Sequence, residues 1–237
     1  MKQRIIVVLV LLSFVLIAQS NKKTVETEKV KIEIWSDIVC PYCFLGKKKM
    51  ENAIAKLHAE DKVEIIWHSF QLDPDFPMDT SISTSEYLIE RRGVPRKQVS
   101  QMTAQLVKQG RGYGIDFQFD KAHSFNTFDA HRLIQWAKKE DKSHELKEAF
   151  MINYFTHGLD LSVTENLMTI IEEVGLDAVK AKQILESNTY SEEVKHDINR
   201  SRQLGIRGIP FFLINGKASI SGAQSDNVFE KELAAAL

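Results

Sequence analysis

Apolar and polar residues alternate from Val30 to Trp35 in the order Val-Lys-Ile-Glu-Ile-Trp. That period of two, rich in β-branched side chains, predicts a strand. Beyond Cys43 the period changes, with Met50, Ala53, Ile54 and Leu57 at helical spacing. The segment Cys40-Pro41-Tyr42-Cys43 therefore stands at a strand-to-helix junction. A second β-rich run, residues 63–70, closes on the turn formers Asp73-Pro74-Asp75, so the chain opens with a βαβ unit. From about Thr80 to Leu204 the pattern is helical throughout. Ser83-Thr84-Ser85-Glu86 and Ser162-Val163-Thr164-Glu165 read as capping boxes, Pro95 as a first helical residue, and Gly110, Gly158, Gly175 and Gly205 as helix stops. Strand character returns over residues 209–214 and 217–221 around Asn215-Gly216, a strong hairpin signal. A last helix is expected from about Ser225 to the C-terminus. The prediction is an α/β chain in which a helical insertion of over a hundred residues separates the βαβ unit from a hairpin and helix.

The first twenty residues follow another pattern. Lys2 and Arg4 precede an apolar run from Ile5 to Ala18 broken only by Ser13, and Ala18-Gln19-Ser20 places small residues where a signal peptidase reads. Residues 1–20 are read as a signal peptide cleaved before Asn21, and residues 21–29 as a polar tether. An uncleaved anchor is the competing reading, against which the run is shorter than the roughly 20 residues that span a bilayer. Without cleavage this segment is the one expected link to a membrane. No Cys follows the run, so lipidation is not indicated. The expected location is the periplasm or another exported compartment.

Composition adds exclusions. The chain is 43% hydrophobic and 27% charged, ordinary for a globular protein. Two of its 31 basic residues lie in the leader, so the rest carries 29 basic against 32 acidic groups, which does not suggest a nucleic-acid partner. Both cysteines of the chain fall in the one Cys-x-x-Cys, leaving none for a structural bridge. The nearest histidines, His58 and His68, lack the paired spacing that would complete a zinc site. Redox use is the expected chemistry, with no metal and no cofactor.

A thiol attacks a disulfide as its thiolate, so one sulfur must have its negative charge stabilised. Cys40, at the first helical turn, faces unsatisfied backbone N–H groups and the positive end of the helix dipole. It is expected to be the nucleophile, with a lowered pKa. Cys43, one turn further in, is expected to resolve the mixed disulfide. Pro41 has no N–H to leave unpaired there, and Pro41 with Tyr42 is expected to tune the potential.

The chain resembles the DsbA-like thioredoxin superfamily, in particular its FrnE-like branch, over roughly Lys31 to Leu233. Four blocks carry the resemblance: Ile34-Trp35-Ser36-Asp37 running into Cys40-Pro41-Tyr42-Cys43 and Gly46-Lys47; Asn126-Thr127-Phe128-Asp129-Ala130-His131-Arg132-Leu133; Gly205-Ile206-Arg207-Gly208-Ile209-Pro210-Phe211-Phe212; and Ser221-Gly222-Ala223-Gln224. It implies a thioredoxin-like fold, with residues 30–79 and 205–237 forming one domain and residues 80–204 an inserted helical domain. It implies a protein disulfide oxidoreductase acting on client proteins with thiols or disulfides, alongside an unidentified redox partner. It also implies a cis Pro210 against the cysteines, with the Ile209 backbone presented to a bound peptide.

By resemblance to the buried acid of thioredoxins, Glu33 is a candidate proton shuttle to Cys43 with a raised pKa, and Asp37 is a nearer competitor. Trp35 reads as core. Asn126 and His131 are placed near the redox face, where a protonated His131 would stabilise a thiolate; the competing reading is a hydrogen-bonded structural histidine. His68, His123, His144 and His157 show no partner pattern. Two other functions stay open. One is a glutathione-dependent isomerase or transferase of the kappa or 2-hydroxychromene-2-carboxylate isomerase type, which carries Ser at the position of Cys40. The other is a redox-independent, chaperone-like peptide binder.

Overall fold

The computed structural model describes residues 28–78 and 80–237; the expected signal peptide, residues 1–20, and most of the expected tether, residues 21–29, fall outside the described residues. Four strands form the main sheet, in the order β2 (Val63–Ser69), β1 (Val30–Ser36), β5 (Phe211–Ile214) and β6 (Ala218–Ser221). β1 runs parallel to β2, with Ile34 opposite Trp67, and antiparallel to β5, with Ile34 opposite Phe212. The parallel pair needs a crossover. Helix α1 (Pro41–Lys56) supplies it, so the Cys-x-x-Cys junction lies at the end of a central strand.

Because β1 is covered on both faces, its two side-chain rows meet different neighbours. Ile32 and Ile34 enter the apolar core with Phe212. Trp35, on the other face, is fully buried as expected, stacks on His68 at 4.4 Å between ring centres, and donates its Nε1–H to the Asp197 carbonyl. The hairpin turns at Asn215 and Gly216, both at positive φ (50° and 67°), with Lys217 N–H bonded to the Ile214 carbonyl. Its last helix, α9 (Asp226–Ala234), packs on α1.

The long segment between β2 and β5 is helical for most of its length. A three-residue helix α2 (Thr84–Glu86) runs into a π turn, followed by α3 (Arg96–Arg111), α4 (Phe128–Ala137), α5 (Ser143–Ile152), α6 (Thr164–Glu173), α7 (Ala178–Leu185) and α8 (Ser191–Gln203). It also holds a second, antiparallel sheet that its sequence pattern does not announce. The strands, β3 (Ser81–Ser83) and β4 (His123–Phe125), span three residues each, too few to display a period.

Three boundary signals resolve differently from expectation. Gly110 lies inside α3, where a Cβ would stand 2.5 Å from the Phe117 ring, so it permits close packing and does not end the helix. Ser162 turns its hydroxyl onto Asp160, and α6 is capped by the Val163 backbone alone. Pro95 is the N-cap of α3, one position before its first turn. Ser83 does cap α2, accepting from the Glu86 N–H. Gly158, Gly175 and Gly205 follow helix ends in the left-handed region.

Candidate functional site

Cys40 is the N-cap of α1 and Pro41 its first residue. The Cys40 sulfur accepts the Cys43 N–H at 3.2 Å, and the Cys40 carbonyl accepts the N–H groups of Cys43 and Phe44. Both cysteines are free thiols in this structure. Cys40 is 4% exposed and Cys43 1%. Only Cys40 reaches a cavity, of about 240 Å³, that opens beside Tyr42 and Ile209. Its Sγ lies 4.0 Å from the Ile209 carbonyl oxygen, and the Ile209–Pro210 peptide bond is cis. Gly46 lets the proline ring approach α1, since a Cβ there would stand 2.9 Å from Pro210 Cγ. Two larger hollows, of about 390 and 410 Å³, lie against β2 and touch neither cysteine.

The electrostatics of Cys40 differ from expectation. Burial pushes its thiol well above the usual range and the adjoining Cys43 side chain adds to this, while the Cys43 N–H works the other way. One helix N–H aimed at the sulfur does not outweigh desolvation in the closed, reduced pair.

Behind the cysteines lies a buried charged cluster. Asp37 Oδ1 accepts the Ile38 N–H at 2.8 Å and pairs with His131 Nε2 at 3.1 Å, and Oδ2 accepts the Leu72 N–H at 2.8 Å. Burial works to raise the Asp37 carboxyl, but His131, the Leu72 N–H and the charge of Lys147 hold it below its ordinary value. His131 is pushed down by burial despite its bond to Asp37, so at neutral pH it is a neutral imidazole donating to a carboxylate. Of the two readings of His131, the hydrogen-bonded structural histidine is the one this geometry matches.

The cation is Lys147, on α5, which the sequence reading missed. Its side chain is fully buried, and Nζ donates to the Ser36 carbonyl at 3.2 Å. Burial brings its pKa down to about 8, against the attraction of Asp37, Cys43 and Cys40. A signal was available. Lys147 shares the apolar stripe of Phe150, Met151 and Tyr154, all buried, at the i, i+3, i+4 and i+7 spacing of a core face.

Glu33 belongs elsewhere. Its carboxylate pairs with Arg200 and with His68 Nε2 at 3.0 Å, beneath α8. Burial works to raise it, but Arg200 and His68 bring it below its ordinary value, the reverse of the shift expected of a shuttle. His68 therefore has a partner set, since Nδ1 also meets Asp197 Oδ1 at 2.6 Å. Asn126 is a brace: Nδ2 donates to the Phe76 and Pro74 carbonyls, and Oδ1 accepts from Gln71 and the Phe128 N–H. It thereby secures the 71–77 loop, whose Leu72 N–H caps Asp37.

Glu51, His144 and Glu148 place potential ligand atoms within 4.8 Å of one another. Lys47 and Lys48 pair with both carboxylates, which makes the group an ion-pair network joining α1 to α5.

A Cys-x-x-Cys at a helix N-terminus, beside a cis proline on a mixed four-stranded sheet, defines a thioredoxin-type redox fold. The family model of the DSBA-like thioredoxin domain matches residues 31–234, and the chain belongs to that family, whose members are thiol–disulfide oxidoreductases together with some isomerases and transferases. It is 30% identical over 205 residues to YwbO, an uncharacterized protein of Bacillus subtilis strain 168, covering 86% of this chain and 96% of that one. It is also similar to the crystal structure of the probable DsbA oxidoreductase SCO1869 of Streptomyces coelicolor. That match has 32% identity and a TM-score of 0.84, over 87% of this chain and 89% of the other. A 2-hydroxychromene-2-carboxylate isomerase shares the fold at 16% identity and a TM-score of 0.64, over 86% of this chain and 94% of that one.

Proposed function

We propose that this protein exchanges disulfides with client proteins through Cys40 and Cys43 after export, the leader being removed before Asn21. The observation that carries the exchange reading is the pair itself. One sulfur caps α1 and reaches an open cavity; the other sits one turn inward, within reach of the first.

In the reducing direction the Cys40 thiolate attacks one sulfur of a client disulfide. A Cys40–client bond forms as the client bond breaks, and the departing client thiolate takes up a proton. Cys43, deprotonated, then attacks Cys40 Sγ, forming Cys40–Cys43 and releasing the second client thiolate. Two electrons pass to the client. Oxidation of a client dithiol is the same sequence reversed. Cys40 must lose its proton against burial, which the Cys43 N–H and the Lys147 ammonium both favour. Cys40 also stands where glutathione-activating relatives of this fold carry serine, which supports exchange over isomerisation.

The asymmetry supplies the test. Cys40→Ser abolishes exchange and traps nothing, whereas Cys43→Ser accumulates a mixed disulfide through Cys40. Trapping by Cys40→Ser overturns the assignment. N-terminal sequencing of protein from native cells tests export, with a start at Asn21 expected and a soluble protein starting at Met1 refuting it.

A further inference from the structure

The main sheet ends at β2, and that edge lacks the usual protection. β2 keeps an unbroken register with β1 over all seven residues and carries neither proline nor lysine, two of the devices that keep other chains off a strand edge. Among the described residues, β1 is its sole strand partner. The Ser69 N–H turns away from β1 and donates to Asp197 Oδ2 at 2.9 Å. Main-chain groups of a strand face the same side at every second residue, so the N–H and C=O of Ile65 and Trp67 also turn outward. No hydrogen bond from outside the sheet reaches them among the described residues.

The two hollows against β2 follow this edge. One, of about 410 Å³, is lined by Val63 and Ile65 with Ile54 of α1, so it lies on the sheet face that α1 covers. The other, of about 390 Å³, is lined by four consecutive β2 residues, Glu64 to Trp67, across from the α4–α5 connection. Side chains alternate between the two faces of a strand, so four in a row make the strand edge itself the wall. Ile65 and His144 line both hollows, which joins them into one groove. Its rim is acidic. Glu60, Glu64 and Asp141 are exposed and form no ion pair among the described residues. The lysine of the lining, Lys138, is already held by Gln135 and Asp197, and His144 by Glu51.

We infer that this edge is a docking site at which an extended basic segment of a partner protein adds as a fifth strand. Such a segment bonds to the Ile65 and Trp67 main chain and sends alternate side chains to the two faces of the sheet. From Val63 to Trp67 the edge runs about 13 Å at the rise of a strand, which suits a segment of about five residues. Apolar side chains at alternate positions cover Ile65 and Ile66, both half-buried, while Lys or Arg between them meets the three carboxylates. A second copy of this chain fits less well. Pairing β2 with itself sets Glu60, Glu64 and Asp141 against their own copies, and like charges across a strand pair are destabilising. The groove touches neither cysteine, so docking here leaves Cys40 open.

The probe is a fluorescein-labelled, acetylated and amidated peptide, Lys-Val-Lys-Val-Lys-Val-Lys, titrated with the protein at low salt and followed by anisotropy. Saturable binding is expected. Replacing the central Val of the peptide with Pro removes a ladder donor and should weaken binding on the order of tenfold. A peptide with Glu in place of each Lys should not bind. The double variant Glu64→Lys, Asp141→Lys changes two exposed positions and should weaken binding at least as much as the Pro peptide does. Hydrogen exchange locates the site: the Ile65 and Trp67 amides should slow when the peptide is bound, which charge attraction alone does not produce. Should the double variant fail to fold, the Val and Pro peptides and the exchange measurement on the parent protein still decide. Equal binding of the Val and Pro peptides, unchanged exchange at Ile65 and Trp67, or no binding overturns the inference. A concentration-dependent dimer that protects the same two amides without peptide assigns the edge to a second copy and overturns it as well.

Discussion

Replacing Lys147 with Met removes a buried ammonium while keeping most of its stem. A fall in pKa from 10.5 to about 8 corresponds to a cost of about 3 kcal/mol for holding the charged form in the fold. Below pH 8 the lysine is protonated in both folded and unfolded chains, so the folded state bears this whole cost. Between about pH 8 and 10.5 the folded protein has lost a proton that the unfolded chain keeps, so stability contributed by this group rises with pH. Two losses oppose the gain. The Ser36 carbonyl forfeits a donor, costing about 1 kcal/mol, and Asp37 loses a cation. Asp37 nevertheless retains His131 and the N–H groups of Ile38 and Leu72, so it is not left as an unpaired buried charge, which would cost several kcal/mol. Lys147→Met should therefore be as stable as the parent at pH 7, or more stable by up to about 2 kcal/mol. That advantage should vanish as pH approaches 10. The measurement is urea unfolding of the reduced proteins at a series of pH values. The same substitution removes positive charge near both sulfurs, so Cys40 should lose its proton less readily and be alkylated more slowly at a given alkaline pH. A loss of more than about 1 kcal/mol at pH 7, or parallel pH curves for the two proteins, would refute this electrostatic account.

Asn126→Ala should destabilise the protein by about 2–3 kcal/mol in urea unfolding, because it strands the Phe76 carbonyl and frees the 71–77 loop; a loss below 0.5 kcal/mol by the same measurement, roughly the level of a neutral surface change, contradicts its role as a brace. For Gly46→Ala, a helix-propensity gain of about 1 kcal/mol competes with overpacking costs of about 1–3 kcal/mol, from contacts of 2.9 Å to Pro210 Cγ and 3.1 Å to Phe212 Cζ. The net expectation is a loss of up to about 2 kcal/mol, and a more stable variant would show that the proline loop yields freely.

Local chemistry was enough to determine much of this protein. Alternation at Val30–Trp35 followed by helical spacing after Cys43 places the cysteines at a helix start without reference to the remaining chain, and Asn215-Gly216 specifies its turn because both residues tolerate positive φ. The helix stops at Gly158, Gly175 and Gly205 follow for the same backbone reason. Properties that depend on residues distant in sequence were decided only by the tertiary structure. Glu33 was drawn away from the cysteines by Arg200, 167 positions further on. Gly110 became a packing contact because Phe117 folds back on α3, and β3 exists only because β4 pairs with it. Lys147 acquires its character from Ser36, Asp37 and the sulfurs, which α5 meets only after the insertion closes over β1. Burial likewise raised the Cys40 thiol where the helix terminus alone predicted a lowered one. Periodicity and turn chemistry act over a few residues, whereas desolvation and charge pairing depend on what the whole chain brings together.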